Sequence, residues 1–145
     1  MSEAGTERVH ASCVALSGAG ILFIGPPGSG KSTEALRLIA RGAELVADDQ
    51  VVLRRAGDRL LAAPDPATAG RIEARGVGIF TLTGLDEVAL ALVADMEQIE
   101  ARRLPPGREI EILGLRLPLL HACNLPDLAA VLTVWFARGA RLEEH

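Results

Sequence analysis

Gly25-Pro26-Pro27-Gly28-Ser29-Gly30-Lys31-Ser32 satisfies every fixed position of G-x-x-x-x-G-K-[ST], the spacing of a phosphate-binding loop. The apolar run Ile21-Leu22-Phe23-Ile24 leads into it as a buried strand, and Ser32 to Ile39 leads out as a helix. This order dictates an α/β chain in which a sheet strand ends on the loop and the loop opens onto a helix N-terminus. Glycines at 25, 28 and 30 let the backbone turn its N–H groups inward, while the free N–H groups of the following helix add partial positive charge. The residues expected to hold a nucleotide are Gly25, Pro26, Pro27, Gly28, Ser29, Gly30, Lys31, Ser32 and Thr33. Among them Lys31 reaches the outer phosphates and Ser32 holds Mg²⁺.

Composition sets the bounds around that loop. The chain of 145 residues is long enough for one domain with a real core and short for two, so a single domain with a mixed sheet and flanking helices is expected. With three Phe, one Trp and no Tyr, the core must be built from Leu, Ile, Val and Ala. A net charge of −4 without a dense Lys/Arg block gives no electrostatic footprint for nucleic acid or for an anionic membrane surface. The first seven residues carry acidic charge and no apolar signal segment, and no apolar run approaches the ~18 residues that span a bilayer. A cytoplasmic protein is expected. Cys13 and Cys123 lie far apart without a CxxC, so two reduced, buried thiols are the expectation and no disulfide or zinc site is supported.

Along the chain, Val9 to Leu16 and Ile21 to Ile24 predict a hairpin around Ser17-Gly18-Ala19-Gly20. The helix from Ser32 should stop near Arg41, with Gly42 as its C′ residue. Leu45-Val46-Ala47 predicts a short strand ending at Asp48-Asp49, and Val51–Arg54 with Arg59–Ala62 a second hairpin. Gly70 to Gly78 predicts an exposed loop, Val88 to Val93 and Ile110 to Leu113 two further strands, and Leu125 to Phe136 a closing helix with Pro126 and Asp127 in its first turn. The end, Leu142-Glu143-Glu144-His145, predicts a frayed polar tail.

A strand that ends in acid near a phosphate loop has a physical use, because a carboxylate there can hold Mg²⁺ or take a proton from a nucleophile. Asp49 lies only eighteen residues after Lys31. In a regular strand Asp48 and Asp49 point to opposite faces and need different jobs; one of them as a simple turn or capping residue is the alternative.

The order His10, then Gly25 to Ser32, then Leu45-Val46-Ala47-Asp48-Asp49, then Ile72-Glu73-Ala74-Arg75-Gly76-Val77-Gly78-Ile79 resembles the catalytic domain of bacterial HPr kinase/phosphorylase. The resemblance covers about residues 8 to 120 and is strongest up to Thr81. It implies a fold shared with phosphoenolpyruvate carboxykinases, ATP and Mg²⁺ as cofactors, and an HPr-type phosphocarrier protein as the partner phosphorylated on serine. Many members also reverse this with inorganic phosphate, releasing pyrophosphate. Carried over by position, Asp49 becomes the proton acceptor and a metal ligand, Asp48 the first acid of the pair, His10 the histidine beside them, Glu73 the second Mg²⁺ ligand, and Arg103 the arginine that neutralises the transferred phosphoryl group. Taken alone, His10 is an ordinary strand-end histidine and Arg103 a solvated arginine.

Departures accompany the match. The N-terminal domain of longer relatives is expected to be absent, Leu113 to Pro118 only faintly echoes the loop used for phosphorolysis, and the C-terminal helical region is reduced to Leu125 through Phe136. Gln50 stands where many members carry arginine. A homo-oligomer, hexameric in the family, follows from the resemblance. Two other readings stand beside the kinase: a catalytically reduced nucleotide-binding sensor, and a small-molecule kinase or carboxykinase relative, which would need further metal and carboxylate-binding residues.

Overall fold

The computed structural model describes residues 5–143. Met1–Ala4 and, from the expected polar tail, Glu144 and His145 lie outside the described residues. The chain opens with strands β1 (Thr6–Leu16) and β2 (Ala19–Ile24), joined by a two-residue turn in which Ser17 and Gly18 both take positive φ, as a type I′ hairpin requires. Helix α1 (Lys31–Ile39) follows the glycine-rich loop. It stops where the sequence says it should: Ala43 N–H bonds back to Leu38 and Gly42 N–H to Ile39, with Gly42 in the left-handed conformation.

Strand β3 (Glu44–Ala56) pairs with β1 on one side and turns at Gly57-Asp58 into β4 (Arg59–Pro64). Then come β5 (Arg71–Ala74), β6 (Gly78–Thr81), β7 (Val88–Asp95), β8 (Glu109–Ile112) and β9 (Leu115–His121). Helix α2 (Leu128–Leu132) runs into a π-helical turn, Thr133–Ala137. The seven-stranded sheet has the order β2-β1-β3-β4-β7-β9-β8, and β2 also pairs in parallel with β7. Since β7 also pairs with β4, the first five strands close into a ring from which β9 and β8 extend. The fold is therefore mixed α/β with few helices, as expected in class.

Closure explains the composition. The ring encloses Ala11, Cys13 and Ala15 from β1, Leu22, Ala47, Val51, Leu53, Ala62, Val88 and Leu90, a set rich in small side chains because a five-strand ring has a narrow interior. Alternate residues of β1, Val14 and Leu16, face outward into a second core with Phe23, Ala35, Leu38, Leu128 and Leu132, so both helices cover this outer face. Gly20 marks the closure. A methyl group there would sit 2.7 Å from Val88 Cγ1 and 2.8 Å from the Ala89 carbonyl oxygen, so the approach of β2 to β7 needs a residue without a side chain.

Four expectations change. First, β3 does not end at Asp48-Asp49 but runs on for seven residues, because the hairpin with β4 continues the ladder that β1 began. Secondly, Gly70 to Gly78 is not an exposed loop: β5 and β6 pair as a separate hairpin, anchored by Ile72 and Ala74 in the core. Thirdly, Asp127 precedes the closing helix as its N-cap, accepting from Ala130 N–H, and the helix widens to π geometry after Leu132. Fourthly, Cys123 is exposed; only Cys13 is buried, and burial pushes its thiol up. Among the described residues no helix is long and apolar enough to cross a membrane.

Beyond β7, a partly buried ion pair fixes the segment leading to β8. Arg108 grips Glu100 with two bonds, Nε to Oε1 at 2.8 Å and Nη2 to Oε2 at 2.9 Å, and the Glu100 side chain is only 5% exposed. Asn124 completes the brace by bonding both the N–H and the carbonyl of Glu100. The Arg108 fork holds the Glu100 carboxyl at about 2, against an ordinary 4.5.

Two outcomes test this account. Gly20→Ala should lower the unfolding free energy by about 1–3 kcal/mol in urea denaturation, as overpacking does. Glu100 has a depressed folded-state pKa, so its contribution is complete above pH 4.5 and fades as pH falls towards 2. Melting curves of Glu100→Gln should run below wild type at neutral pH, lose less on acidification through that window, and converge with it at the acid end.

Candidate functional site

The loop between β2 and α1 leaves the sheet at Ile24 and enters the helix at Gly30, which caps α1 with φ 96° and offers no side-chain cap. The first-turn N–H groups of the helix are thus left for a ligand from outside, the arrangement that suits an anion. Lys31 curls back over the loop, with Nζ donating to the Gly25 carbonyl at 2.6 Å and to the Pro26 carbonyl at 3.0 Å. Burial pulls this ammonium below its ordinary value, while the carboxylates of Asp48 and Asp49 work the other way.

Asp48 is buried and accepts from three elements. Ser12 Oγ on β1 donates to Oδ1 at 2.6 Å, Ser32 Oγ on α1 donates to the same oxygen at 2.8 Å, and the Glu73 N–H on β5 donates to Oδ2 at 3.2 Å. Asp49 has a different situation. Ala47, Val51 and Leu53 on its side of β3 all point into the ring, and a regular strand would send Asp49 after them. Instead its φ is 72°, and this left-handed turn brings the carboxylate out to the same side as Asp48. There it meets His10, Nε2 to Oδ1 at 2.6 Å, with both side chains about half exposed. The expectation of opposite faces fails because the strand is irregular at this one residue.

These groups line a single cavity of about 620 Å³. Of the residues picked from the sequence, His10, Pro27, Gly28, Gly30, Lys31, Ser32, Thr33, Asp48, Asp49 and Glu73 line it, and so does Arg75. Gly25, Pro26 and Ser29 belong to the loop but lie outside this lining. Arg103 lies exposed on the segment after β7, outside the lining. Sequence reasoning missed Ser12, Thr68, Arg71, Ile72 and Ile79, which the structure adds to the wall. Arg71 had a signal, standing two residues before Glu73; Ser12 had none, because only the β1–β3 register sets it opposite Asp48.

The donor set fits Mg²⁺. A serine hydroxyl and a carboxylate, both hard oxygen donors, stand side by side at the start of the helix that would hold phosphates, and this cation takes one or two carboxylates together with phosphate oxygens and water. Ser32 and Asp48 could hold it, and Asp49 and Glu73 line the same cavity.

Comparison with known proteins agrees with the geometry. The family model described as HPr Serine kinase C-terminal domain matches residues 2–101. An HPr kinase/phosphorylase from Chlorobium phaeobacteroides (strain BS1) is 34% identical over 128 residues, covering 79% of this chain and 38% of that protein. One from Clostridium botulinum (strain Eklund 17B / Type B) is 44% identical over 78 residues, covering 54% of this chain and 26% of that protein. The chain therefore spans between about a quarter and two fifths of these relatives' length. Among solved structures, the Hpr(Ser) kinase/phosphatase from Coxiella burnetii superposes with a TM-score of 0.74 at 25% identity, covering 92% of this chain and 94% of that one.

The two aspartates should respond differently to substitution. Asp48→Ala strips the acceptor from a buried hydroxyl and should cost about 1–3 kcal/mol of unfolding free energy. Asp49→Asn, at an exposed position where asparagine tolerates positive φ, should stay within about 0.5 kcal/mol of wild type in the same denaturation experiment.

Proposed function

Because the chain belongs to the HPr serine kinase C-terminal domain family, we propose that it is an ATP- and Mg²⁺-dependent kinase that phosphorylates a serine of an HPr-type phosphocarrier protein in the cytoplasm. One observation carries the reading: the Asp49 carboxylate and the glycine-rich loop line the same cavity, so a hydroxyl entering it meets a proton acceptor and a phosphate cradle together.

In this reading the free N–H groups at the start of α1 and the Lys31 ammonium bind the triphosphate. Lys31 exchanges its two carbonyl contacts for phosphate oxygens, a stronger, charge-assisted pairing. Ser32 and Asp48 would hold a Mg²⁺ ion arriving with the nucleotide, with Asp49 and Glu73 in the same cavity, and the ion would supply positive charge against the phosphates. Asp49 accepts the seryl proton. His10, 2.6 Å away, orients that carboxylate and shares the proton's charge. The arginine role that resemblance gave to Arg103 falls to Arg71 and Arg75, which stand in the cavity wall. Phosphorolysis would use the same groups in reverse, with Asp49 returning a proton to the seryl oxygen. The cavity keeps loop, acid and imidazole together, so no feature of it favours the non-catalytic sensor.

Radiolabelled ATP and a purified HPr-type protein provide the test. Asp49→Asn should reduce label transfer by about 10²–10⁴-fold, the usual worth of a general base, while nucleotide affinity changes less than about threefold. Equal incorporation by the variant eliminates Asp49 as the base.

A further inference from the structure

Ser12 is the most deeply buried polar residue of the site, at 1% exposure, and it belongs to no element of the phosphate loop or of the paired acids. It lies on β1 directly opposite Asp48 in the ladder with β3, flanked by Ala11 and Cys13, both fully buried in the ring. Its hydroxyl bonds Asp48 Oδ1 at 2.6 Å, the same oxygen to which Ser32 donates at 2.8 Å. Two hydroxyls thus share one carboxylate oxygen, one from the floor of the site and one from the helix that begins it.

That sharing has a consequence for Ser32. A hydroxyl carries one proton and two lone pairs, so while its proton is spent on Asp48 its lone pairs are available to a cation in the cavity. Asp48 must keep Oδ1 aimed at Ser32 for this to hold. The Glu73 N–H restrains only the other oxygen, and at a longer 3.2 Å. Without Ser12 the carboxylate can twist about its Cβ–Cγ bond so that neither oxygen stays in line with Ser32, and the Ser32 proton is then free to point into the cavity, where it opposes a cation.

Resting on the kinase reading above, we propose that Ser12 is a positioning residue: its hydroxyl locks the Asp48 carboxylate in the orientation that makes Ser32 and Asp48 a divalent-cation site, and so sets the Mg²⁺ affinity of the nucleotide complex. At 1% exposure it offers the cavity almost no surface of its own, so its effect runs through Asp48. Ser12 takes no part in the 2.6 Å contact between His10 and Asp49.

The test measures binding of a non-hydrolysable ATP analogue to the whole chain by calorimetry across a Mg²⁺ titration, and again in EDTA. In Ser12→Ala the Mg²⁺ concentration for half-maximal binding should rise about 10–100-fold, the usual effect of removing a support behind a metal ligand, while affinity in EDTA stays at the wild-type value. Ser12→Thr, which restores the hydroxyl, should return the titration towards wild type. Where Ser12→Ala does not fold by circular dichroism, Ser12→Cys keeps the volume with a weaker donor and should shift the same midpoint in the same direction. An unchanged midpoint in a folded Ser12→Ala or Ser12→Cys overturns the role, as does equal loss with and without Mg²⁺, which marks a purely structural residue. Wild-type protein that binds the analogue equally well with and without Mg²⁺ would instead sink the kinase reading, and the role of Ser12 with it.

Discussion

A single buried carboxylate joins the parts of this molecule that have to meet. Asp48 receives hydrogen bonds from β1 through Ser12, from α1 through Ser32 and from β5 through the Glu73 N–H, while its own backbone lies in β3. Each partner would cost free energy if left unpaired in a dry setting, so the loop, the ring and the β5–β6 hairpin are held in one relative arrangement by mutual need. Of the three bonds, those to Oδ1 are the shorter, and they link the floor of the site to the helix that starts it.

The second constraint is backbone strain at the neighbouring residue. A non-glycine residue at φ 72° in the middle of a thirteen-residue strand is uncommon, and it persists because ladder bonds with β1 hold the chain on both sides. What the strain accomplishes is visible in the packing. Ala47, Val51 and Leu53 continue into the ring on either side, and the one carboxylate that would have been buried among them is turned out beside His10. Both acids of an adjacent pair thereby reach the same cavity, which an unbroken pleat forbids.

Whatever depends on neighbours in the chain was legible in the sequence. The turns around Ser17-Gly18 and Gly57-Asp58, the helix stop at Gly42 and the course of the glycine-rich loop from β2 into α1 follow from local chemistry, and all stand where spacing placed them. Ring closure was not legible, because β2 and β7 pair across some seventy residues and Gly20 carries no label saying that it faces Val88. The β5–β6 hairpin hid for a related reason: only Ile72 and Ala74 of β5 are buried and β6 is exposed throughout, so its residues alternate too weakly to announce strands. At the site, the loop residues and the acid pair announced themselves by spacing. Ser12 did not, since a serine in an apolar strand becomes informative only when the register across the ladder is known.

Strand direction explains why acids from β3 can serve a loop at the end of β2 although the two strands do not touch. β1 runs antiparallel to both, so β2 and β3 run the same way with β1 between them. The loop leaves β2 at Ile24, and Phe23 pairs with Ser12, which in turn pairs with Asp48. One row across three strands therefore carries the exit to the glycine-rich loop, the Ser12 hydroxyl and the Asp48 carboxylate. In many sheets such an acid comes at a strand end, where the chain is free to turn. Here β3 must continue, because its second half builds the hairpin that closes the ring through β4 and β7. A strand obliged to pass through the site can display two consecutive acids there only by breaking its pleat. The left-handed turn at Asp49 is thus a consequence of the closed ring as much as of the chemistry it serves.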